Sequence, residues 1–363
     1  MWCHYHEPSP LGTPTPAAGN ILDVYQFERV LGKAGAFGIT YRARNLGGGE
    51  RVAIKELFPS DYAIRDPTGH VVVQTASDEK TFIEAIRMFR REAEILSRVK
   101  HDNVVRVLDY LEANGTGYMV MQYEDGYDLR THLETQRPHR PNENELRRLL
   151  MPLLDGLEAV HNLNYLHRDI KPSNIYLTRG HKPLLLDFGA ARQIVVSRSR
   201  PVEQILTPPY GAIEQYGQVS PQGPFTDIYA MGVVMFTAML AGERFPNAPD
   251  RLTRDPFVPV SQRLRGLEYS EEFLAAVDWA LKLRAEQRPQ NIRSWRQALD
   301  MTRAKSTAAR SQNSPNSSHG LNAWLKVESW LRFWKKYRII IFFLVGIILM
   351  TIVIAWILSS VPE

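Results

Sequence analysis

The segments LHRDIKPSN at residues 166–174 and LLLDFG at residues 184–189 decide the fold of this 363-residue chain. In the second segment, an apolar run delivers Asp187 into a turn that contains a glycine. Each segment is short, so what it indicates depends on the sequence around it.

A glycine-rich stretch lies upstream of both segments. Residues 30–43 read VLGKAGAFGITYRA, and RVAIKE follows at residues 51–56. A glycine-rich turn between strands lets backbone N–H groups come close to phosphates. Because three neighbouring glycines more often form an ordinary hairpin, this stretch indicates phosphate binding only in combination with the downstream segments.

The motifs occur in the order typical of eukaryotic-type (Hanks-type) serine/threonine protein kinases, and the chain resembles a bacterial, membrane-anchored subfamily of them. The ordered set is the glycine loop, VAIK, HRDxKxxN, DFG, a degenerate APE at residues 212–214, DIYAMG and a late RP pair. The resemblance covers residues 25–302. It implies an α+β bilobal fold, with a β-rich N-lobe at residues 25–123 and a helical C-lobe at residues 124–302.

The resemblance assigns roles to the charged residues. Phosphoryl transfer depends on positioning and charge neutralisation more than on covalent chemistry. Lys55 would contact the α- and β-phosphates and pair with a helix carboxylate, for which Glu92 is the best match and Glu94 the rival. Asp169 would be the catalytic base, and Lys171 would balance charge on the γ-phosphate.

The resemblance also implies ATP together with Mg²⁺ or Mn²⁺. Asn174 and Asp187 would be the metal ligands. The nucleotide would be bound by the glycine loop, the catalytic lysine, the roof of the adenine pocket, the gatekeeper, the hinge, the ribose contact and the floor. In chain order, these residues are Gly32, Gly35, Gly38, Ala53, Lys55, Met121, Gln122, Glu124, Asp128 and Tyr176. Tyr176 stands where the family often has leucine.

Residues 187–214 resemble an activation loop. Arg168, beside the catalytic aspartate, implies a cation that binds a phosphorylated loop residue. Ser197 and Ser199 are the predicted switch sites, whereas Thr207 is predicted to contact the catalytic aspartate and lysine. The alternative is that the arginines of this segment only keep a surface loop soluble.

Two buried ionic contacts are implied in the C-lobe. Glu214 would pair with Arg288, and Asp227 would cap the backbone of the catalytic loop. Both roles are structural, because removing one partner leaves a buried charge uncompensated.

Three departures from the family pattern stand out. The glycine loop reads GxxGxFG, which is one residue longer than usual, and Ile213 replaces the proline of APE. Lys55 and Glu92 are also unusually far apart in sequence. The intervening insert contains Pro67-Thr68-Gly69 followed by an apolar run, which predicts an extra hairpin over the N-lobe.

Residues 339–358, IIIFFLVGIILMTIVIAWIL, carry no charge. Such a helix would span roughly 30 Å at about 1.5 Å per residue, the thickness of a bilayer core. A single C-terminal transmembrane helix is therefore predicted, with a buried core helix as the alternative. The cations just before it predict a cytoplasmic kinase domain at the inner or plasma membrane, and residues 359–363 as a short tail beyond it.

The remaining segments are predicted from composition. Residues 321–338 form an amphipathic helix at the headgroup layer or, alternatively, one packed on the soluble domain. Residues 303–320 form a flexible linker, and residues 1–24 a disordered tail rather than a metal site at its Cys and His residues. A lone cysteine excludes an internal disulfide, and the net charge of +5 does not indicate nucleic acid.

Two functions of different classes follow. The first is a membrane-anchored protein serine/threonine kinase that also phosphorylates its own activation loop. The alternative is a nucleotide-binding pseudokinase or scaffold, in which the unusual glycine loop no longer aligns the γ-phosphate. A small-molecule kinase on the same fold has less support. The implied partners are proteins that carry Ser or Thr and the lipid bilayer, and a dimer for trans-autophosphorylation is left open.

Overall fold

The computed structural model describes residues 19–32, 37–189, 208–217 and 221–300. The chain divides into two units, residues 1–304 and 305–363, and the described residues all belong to the first. No helix within the described residues is long and apolar enough to cross a membrane. The predicted linker, juxtamembrane helix and transmembrane helix lie outside the described residues.

A six-stranded antiparallel sheet forms most of the N-lobe, in the order β1-β2-β3-β4-β8-β7. Its strands are β1 Ile21–Leu22, β2 Tyr25–Val30, β3 Gly38–Asn45, β4 Arg51–Leu57, β7 Val107–Ala113 and β8 Thr116–Gln122. Successive residues of a strand face opposite sides of the sheet. Val52 and Ile54 of β4 are therefore buried in the core, while Ala53 faces the cleft between the lobes.

The folded chain begins before residue 25. Leu22 in β1 pairs with Tyr25 in β2 and is 6% exposed. The prediction of a disordered tail over residues 1–24 is thus wrong at its end, because an apolar residue there completes the edge of the sheet.

The predicted hairpin is present in the insert. β5 Ala63–Arg65 pairs with β6 Val71–Val73, and the side chain of Asp66 accepts hydrogen bonds from the backbone N–H groups of Thr68 and His70 in the turn. The insert leads into α1 Glu79–Arg98. This helix buries residues three and four positions apart, including Phe82, Phe89 and Glu92, and therefore packs one face against the sheet.

The C-lobe is helical, as expected for a bilobal α+β fold. Its elements are β9 Gly126–Asp128, α2 Leu129–Gln136, α3 Glu143–His161, β10 Ile175–Thr178, β11 Pro183–Leu185, α4 Pro224–Met239, α5 Ala248–Thr253, α6 Val260–Arg263, α7 Glu271–Ala280 and a helical segment over 292–300. α4 is buried on almost every side and forms the centre of this lobe. The strands of the small sheet β11-β10-β9 adjoin the catalytic segments in sequence. LHRDIKPSN ends just before β10, and DFG follows β11.

Candidate active site

A cleft of about 1380 Å³ holds most of the predicted nucleotide contacts. The predicted residues that line it are Gly32, Ala53, Met121, Gln122, Glu124, Asp128, Tyr176 and Asp187. Apolar side chains that the sequence did not single out, among them Leu31, Val104 and Leu186, line the same cleft. The cleft thus combines apolar side chains with many polar and charged ones, so it can hold a ligand that has both kinds of surface.

Lys55 and Asp187 meet at the rear of the site. The Nζ of Lys55 lies 3.0 Å from the Oδ1 of Asp187. Burial acts to lower the pKa of Lys55, but the charges of Asp187 and Glu92 outweigh it and raise the pKa. Glu92 is 1% exposed in α1. The lysine therefore stays cationic, held directly by Asp187 and electrostatically by Glu92, its predicted partner.

Asp169, Lys171 and Asn174 form a second cluster. The Nζ of Lys171 donates to the Oδ2 of Asp169 at 2.8 Å, and the Nδ2 of Asn174 donates to the same oxygen at 3.0 Å. Asn174 also donates to the backbone oxygen of Asp187 at 3.4 Å. The three predicted catalytic-loop residues are thus linked to one another and to the segment that carries Asp187.

The phenylalanine of DFG is buried beneath the site. Phe188 is 3% exposed, and its ring stacks on His167 with the centroids 4.2 Å apart. Asp187 just before it has φ +53°, a left-handed conformation that is unfavourable for a residue with a Cβ. At this turn, the ring of Phe188 is therefore buried while the side chain of Asp187 contacts Lys55.

Asp227, at the start of α4, binds the catalytic loop. It accepts hydrogen bonds from the backbone N–H groups of His167 at 2.8 Å and Arg168 at 2.7 Å, and from the Nε2 of His161 at 2.8 Å. Burial acts to raise the pKa of Asp227, but the contact with His161 lowers it below its ordinary value. The carboxylate therefore remains an acceptor for both N–H groups of the loop.

Tyr176 forms part of the floor and touches the hinge. Its hydroxyl donates to the backbone oxygen of Glu124 at 3.2 Å, and burial raises its pKa to about 12. Asp128 lines the cleft while its Oδ1 caps α2 by accepting from the N–H of Thr131 at 2.7 Å. The tyrosine thus joins the floor of the cleft to its hinge.

The glycine loop is described at its two ends. Gly32 has φ +69°, and a Cβ at Gly38 would lie 2.5 Å from the backbone oxygen of Glu56. Gly38 therefore requires glycine, because a Cβ would clash with the backbone, whereas the left-handed backbone at Gly32 favours it. Gly35, between them, lies outside the described residues, as do Ser197, Ser199 and Thr207.

The structure brings Glu214 and Arg288 together in the C-lobe. Arg288 Nη1 lies 2.8 Å from Glu214 Oε1, and Nη2 lies 3.1 Å from Oε2. The Oγ1 of Thr226 donates to the same Oε1 at 2.8 Å. This pair attaches the end of the predicted activation loop to the core of the lobe.

Two further polar contacts were not foreseen from the sequence. Glu56, beside Lys55 in β4, is fully buried and pairs with Arg65 of the insert hairpin at 2.7 Å. Gln215 donates to the backbone oxygen of Arg168 at 2.9 Å. The sequence did contain a signal for Glu56. Alternate residues of a strand face the same side, so Glu56 would be expected on the buried side with Val52 and Ile54. Gln215 stands next to a motif residue but has no motif of its own.

The donor set at Asn174 and Asp187 suits a hard divalent cation. The Nδ2 of Asn174 is engaged by Asp169, which leaves its Oδ1 for a metal beside the carboxylate of Asp187. Within the described residues, no group of three or more His, Cys, Asp or Glu could hold a metal ion. One carboxylate and one amide oxygen fit Mg²⁺, which is usually held by few protein ligands together with substrate phosphates.

The chain belongs to the protein kinase domain family, whose sequence profile matches residues 25–301. "Cyclin-dependent kinase-like 1" of Caenorhabditis elegans is 30% identical over 222 residues, covering 61% of this chain and 56% of that protein. "Serine/threonine-protein kinase pkn2" of Myxococcus xanthus is 32% identical over 215 residues, covering 57% of this chain and 23% of that protein. The chain thus spans less than two thirds of the length of these relatives.

Solved structures with the same fold include bacterial kinase domains. The structure described as "PpkA-294 apo form" has a TM-score of 0.71 and 36% identity, and the match covers 78% of this chain and 99% of that one. The PknI kinase domain of Mycobacterium tuberculosis has a TM-score of 0.58 at 24% identity, covering 79% of this chain and 99% of that one. The second likeness shows the fold alone.

Proposed function

We propose that the chain is an ATP-dependent protein serine/threonine kinase. The proposal is carried by one observation, which is that Lys55, Asp187, Asn174 and Asp169 are linked in a continuous series of contacts at the cleft. Such a series supplies a cation, metal-binding oxygens and a base, the parts that phosphoryl transfer needs. Several relatives carry "serine/threonine-protein kinase" in their names, which favours a hydroxyl acceptor.

Each residue has a defined task in this reaction. Lys55 would hold the phosphates of ATP, and Asp187 and Asn174 would hold Mg²⁺, which would supply positive charge to neutralise the phosphates. Asp169 accepts the proton of a substrate hydroxyl, and contacts of its Oδ2 with Lys171 and Asn174 orient its carboxylate. Lys171, 2.8 Å from Asp169, lies where a cation can balance the charge of the transferred phosphoryl group.

Control by autophosphorylation belongs to the same proposal. Among the described residues, the Nε of Arg168 is buried without a hydrogen-bond partner. A phosphate on Ser197 or Ser199 would provide charge-assisted hydrogen bonds to this guanidinium and order the loop. Transfer between two copies of the chain would accomplish this modification.

The proposal includes a membrane anchor at residues 339–358. Its support is the run of 20 uncharged residues, preceded by Lys335, Lys336 and Arg338. The kinase domain would then lie in the cytoplasm, close to the inner or plasma membrane. The full chain should sediment with membranes after carbonate washing, whereas a chain ending at residue 320 should not.

Incubation of the full chain with labelled ATP and Mg²⁺ tests the activity. We expect label on serine or threonine in the wild type, and none in Asp169→Asn or Asp187→Asn. The two variants separate the roles, because Asp169→Asn should still bind ATP with Mg²⁺, whereas Asp187→Asn should bind the metal poorly. A wild type that binds ATP without transferring label would contradict the proposal and favour a nucleotide-binding scaffold.

A further inference from the structure

The catalytic loop is strained one residue before its base. Arg168 has φ +65°, a left-handed conformation that a residue with a Cβ adopts only when its surroundings hold it. On one side, the backbone N–H of Arg168 donates to Asp227 at 2.7 Å. On the other side, its carbonyl accepts from the Nε2 of Gln215 at 2.9 Å. The strained residue is thus held from both directions.

Gln215 is fixed at both ends of its own amide. It closes the 3₁₀ turn Ile213–Gln215 and is 9% exposed. Its Oε1 accepts from the backbone N–H of Ala212 at 3.0 Å, which fixes the opposite atom, Nε2, as the one facing Arg168. The preceding residue, Glu214, is bound to Arg288. The donor therefore comes from a segment that is itself anchored in the core.

The bond acts on the peptide that precedes the base. The carbonyl of Arg168 and the N–H of Asp169 belong to one planar group. A donor that fixes the direction of this carbonyl therefore also fixes the backbone nitrogen of Asp169. That nitrogen is bonded to the Cα that carries the side chain, so the contact helps to set the direction of the carboxylate.

We propose that Gln215 is a positioning residue for phosphoryl transfer, which orients Asp169 through the Arg168 carbonyl. This inference rests on the proposed kinase activity. It concerns a residue that touches neither nucleotide nor acceptor. Its loss should therefore lower kcat and leave the KM for ATP unchanged.

Two variants test the contact in the full chain, with casein as the phosphoryl acceptor. Gln215→Met removes both hydrogen bonds at similar size. Gln215→Glu keeps the acceptor for Ala212 but turns a second acceptor, with its negative charge, toward the Arg168 carbonyl. It therefore removes the donor while the bond to Ala212 is retained, even if the Met variant folds poorly. Small displacements of a catalytic group are costly, and we expect kcat to fall by about 10- to 100-fold in both.

Gln290→Met, at an exposed glutamine, is the control for loss of an amide that donates to backbone carbonyls. The Nε2 of Gln290 also donates to two backbone carbonyls of the C-lobe, those of Ala285 at 3.0 Å and Arg288 at 2.8 Å. It lies outside the catalytic loop, so kcat should remain at the wild-type value. If Gln215→Met and Gln290→Met have the same kcat, Gln215 has only a structural role and the inference is overturned.

Hydrogen–deuterium exchange separates this inference from the proposed function. Peptides covering residues 165–171 should exchange faster in Gln215→Met than in the wild type, and at the wild-type rate in Gln290→Met. A wild type without turnover would overturn the kinase activity, yet exchange would still report whether Gln215 holds the loop. Unchanged exchange in both Gln215 variants would overturn the positioning role.

Discussion

A buried glutamate–arginine pair lies in the N-lobe, Glu56–Arg65, and another in the C-lobe, Glu214–Arg288. In the N-lobe the glutamate is the centre, because Arg65 and the hydroxyls of Tyr41 and Tyr118 all donate to it at 2.7 to 2.8 Å. In the C-lobe the arginine is the centre.

Arg288 donates to three backbone carbonyls as well as to its glutamate. The carbonyls belong to Lys282 at 2.7 Å, Leu283 at 2.6 Å and Phe225 at 3.2 Å. Loss of Arg288 therefore leaves these backbone carbonyls and Glu214 without its hydrogen bonds. When Arg65 is lost, by contrast, Glu56 keeps two donors, the hydroxyls of Tyr41 and Tyr118. The comparison shows that the cost of breaking a buried pair depends on what else satisfies the remaining partner.

The largest effect is expected for Arg288→Met. Glu214 would keep only the hydroxyl of Thr226 among the contacts described above, and three carbonyls would lose a donor. Removing one partner of a buried pair typically costs about 3–5 kcal/mol. Chemical denaturation of the full chain should show a loss of this size in the free energy of unfolding of the kinase domain. A loss below 1 kcal/mol, roughly that of one ordinary hydrogen bond, would contradict the view that Arg288 is the centre of a buried ionic cluster.

A smaller loss is expected for Arg65→Met, about 1–3 kcal/mol, because Glu56 keeps both tyrosine hydroxyls. The matched control is Arg87→Met on the surface of α1, where the pair with Glu84 has side chains 64% and 43% exposed. Its effect should stay within about 0.5 kcal/mol. Equal losses in Arg65→Met and Arg288→Met would mean that the hydroxyls do not compensate the charge of Glu56.

The two pairs also differ in how far the sequence predicted them. Glu214 and Arg288 are separated by many residues, and they were matched only because each stands in a motif of a resembled family. Arg65 stands in an insert for which the resemblance supplied no pattern. The turn at Pro67-Thr68-Gly69 predicted the hairpin, because turn chemistry is local. It did not predict that Arg65 reaches Glu56, because that contact depends on how the hairpin packs on the sheet.

The same distinction applies within the active site. Asp169, Lys171 and Asn174 lie within a few residues of one another, so their clustering follows from one motif. Gln215 reaches Arg168 across 47 positions in sequence and has no motif. Lys55 shows an intermediate case: the resemblance paired it with Glu92, whose charge raises its pKa, but did not pair it with Asp187, which it contacts at 3.0 Å. A local pattern can identify charged groups, but which of them touch is set by packing.

Among the changes at the two buried pairs, the smallest effects are expected for Tyr41→Phe and Tyr118→Phe. Each removes one neutral donor from Glu56, which should cost about 0.5–1.5 kcal/mol. The double variant Arg65→Met/Tyr41→Phe leaves Tyr118 as the remaining donor among these three, so Glu56 then resembles Glu214 after loss of Arg288. We expect its loss to exceed the sum of the single losses, because residues that share a partner are coupled. Additive losses, measured by the same denaturation experiment, would show instead that the three donors stabilise Glu56 independently.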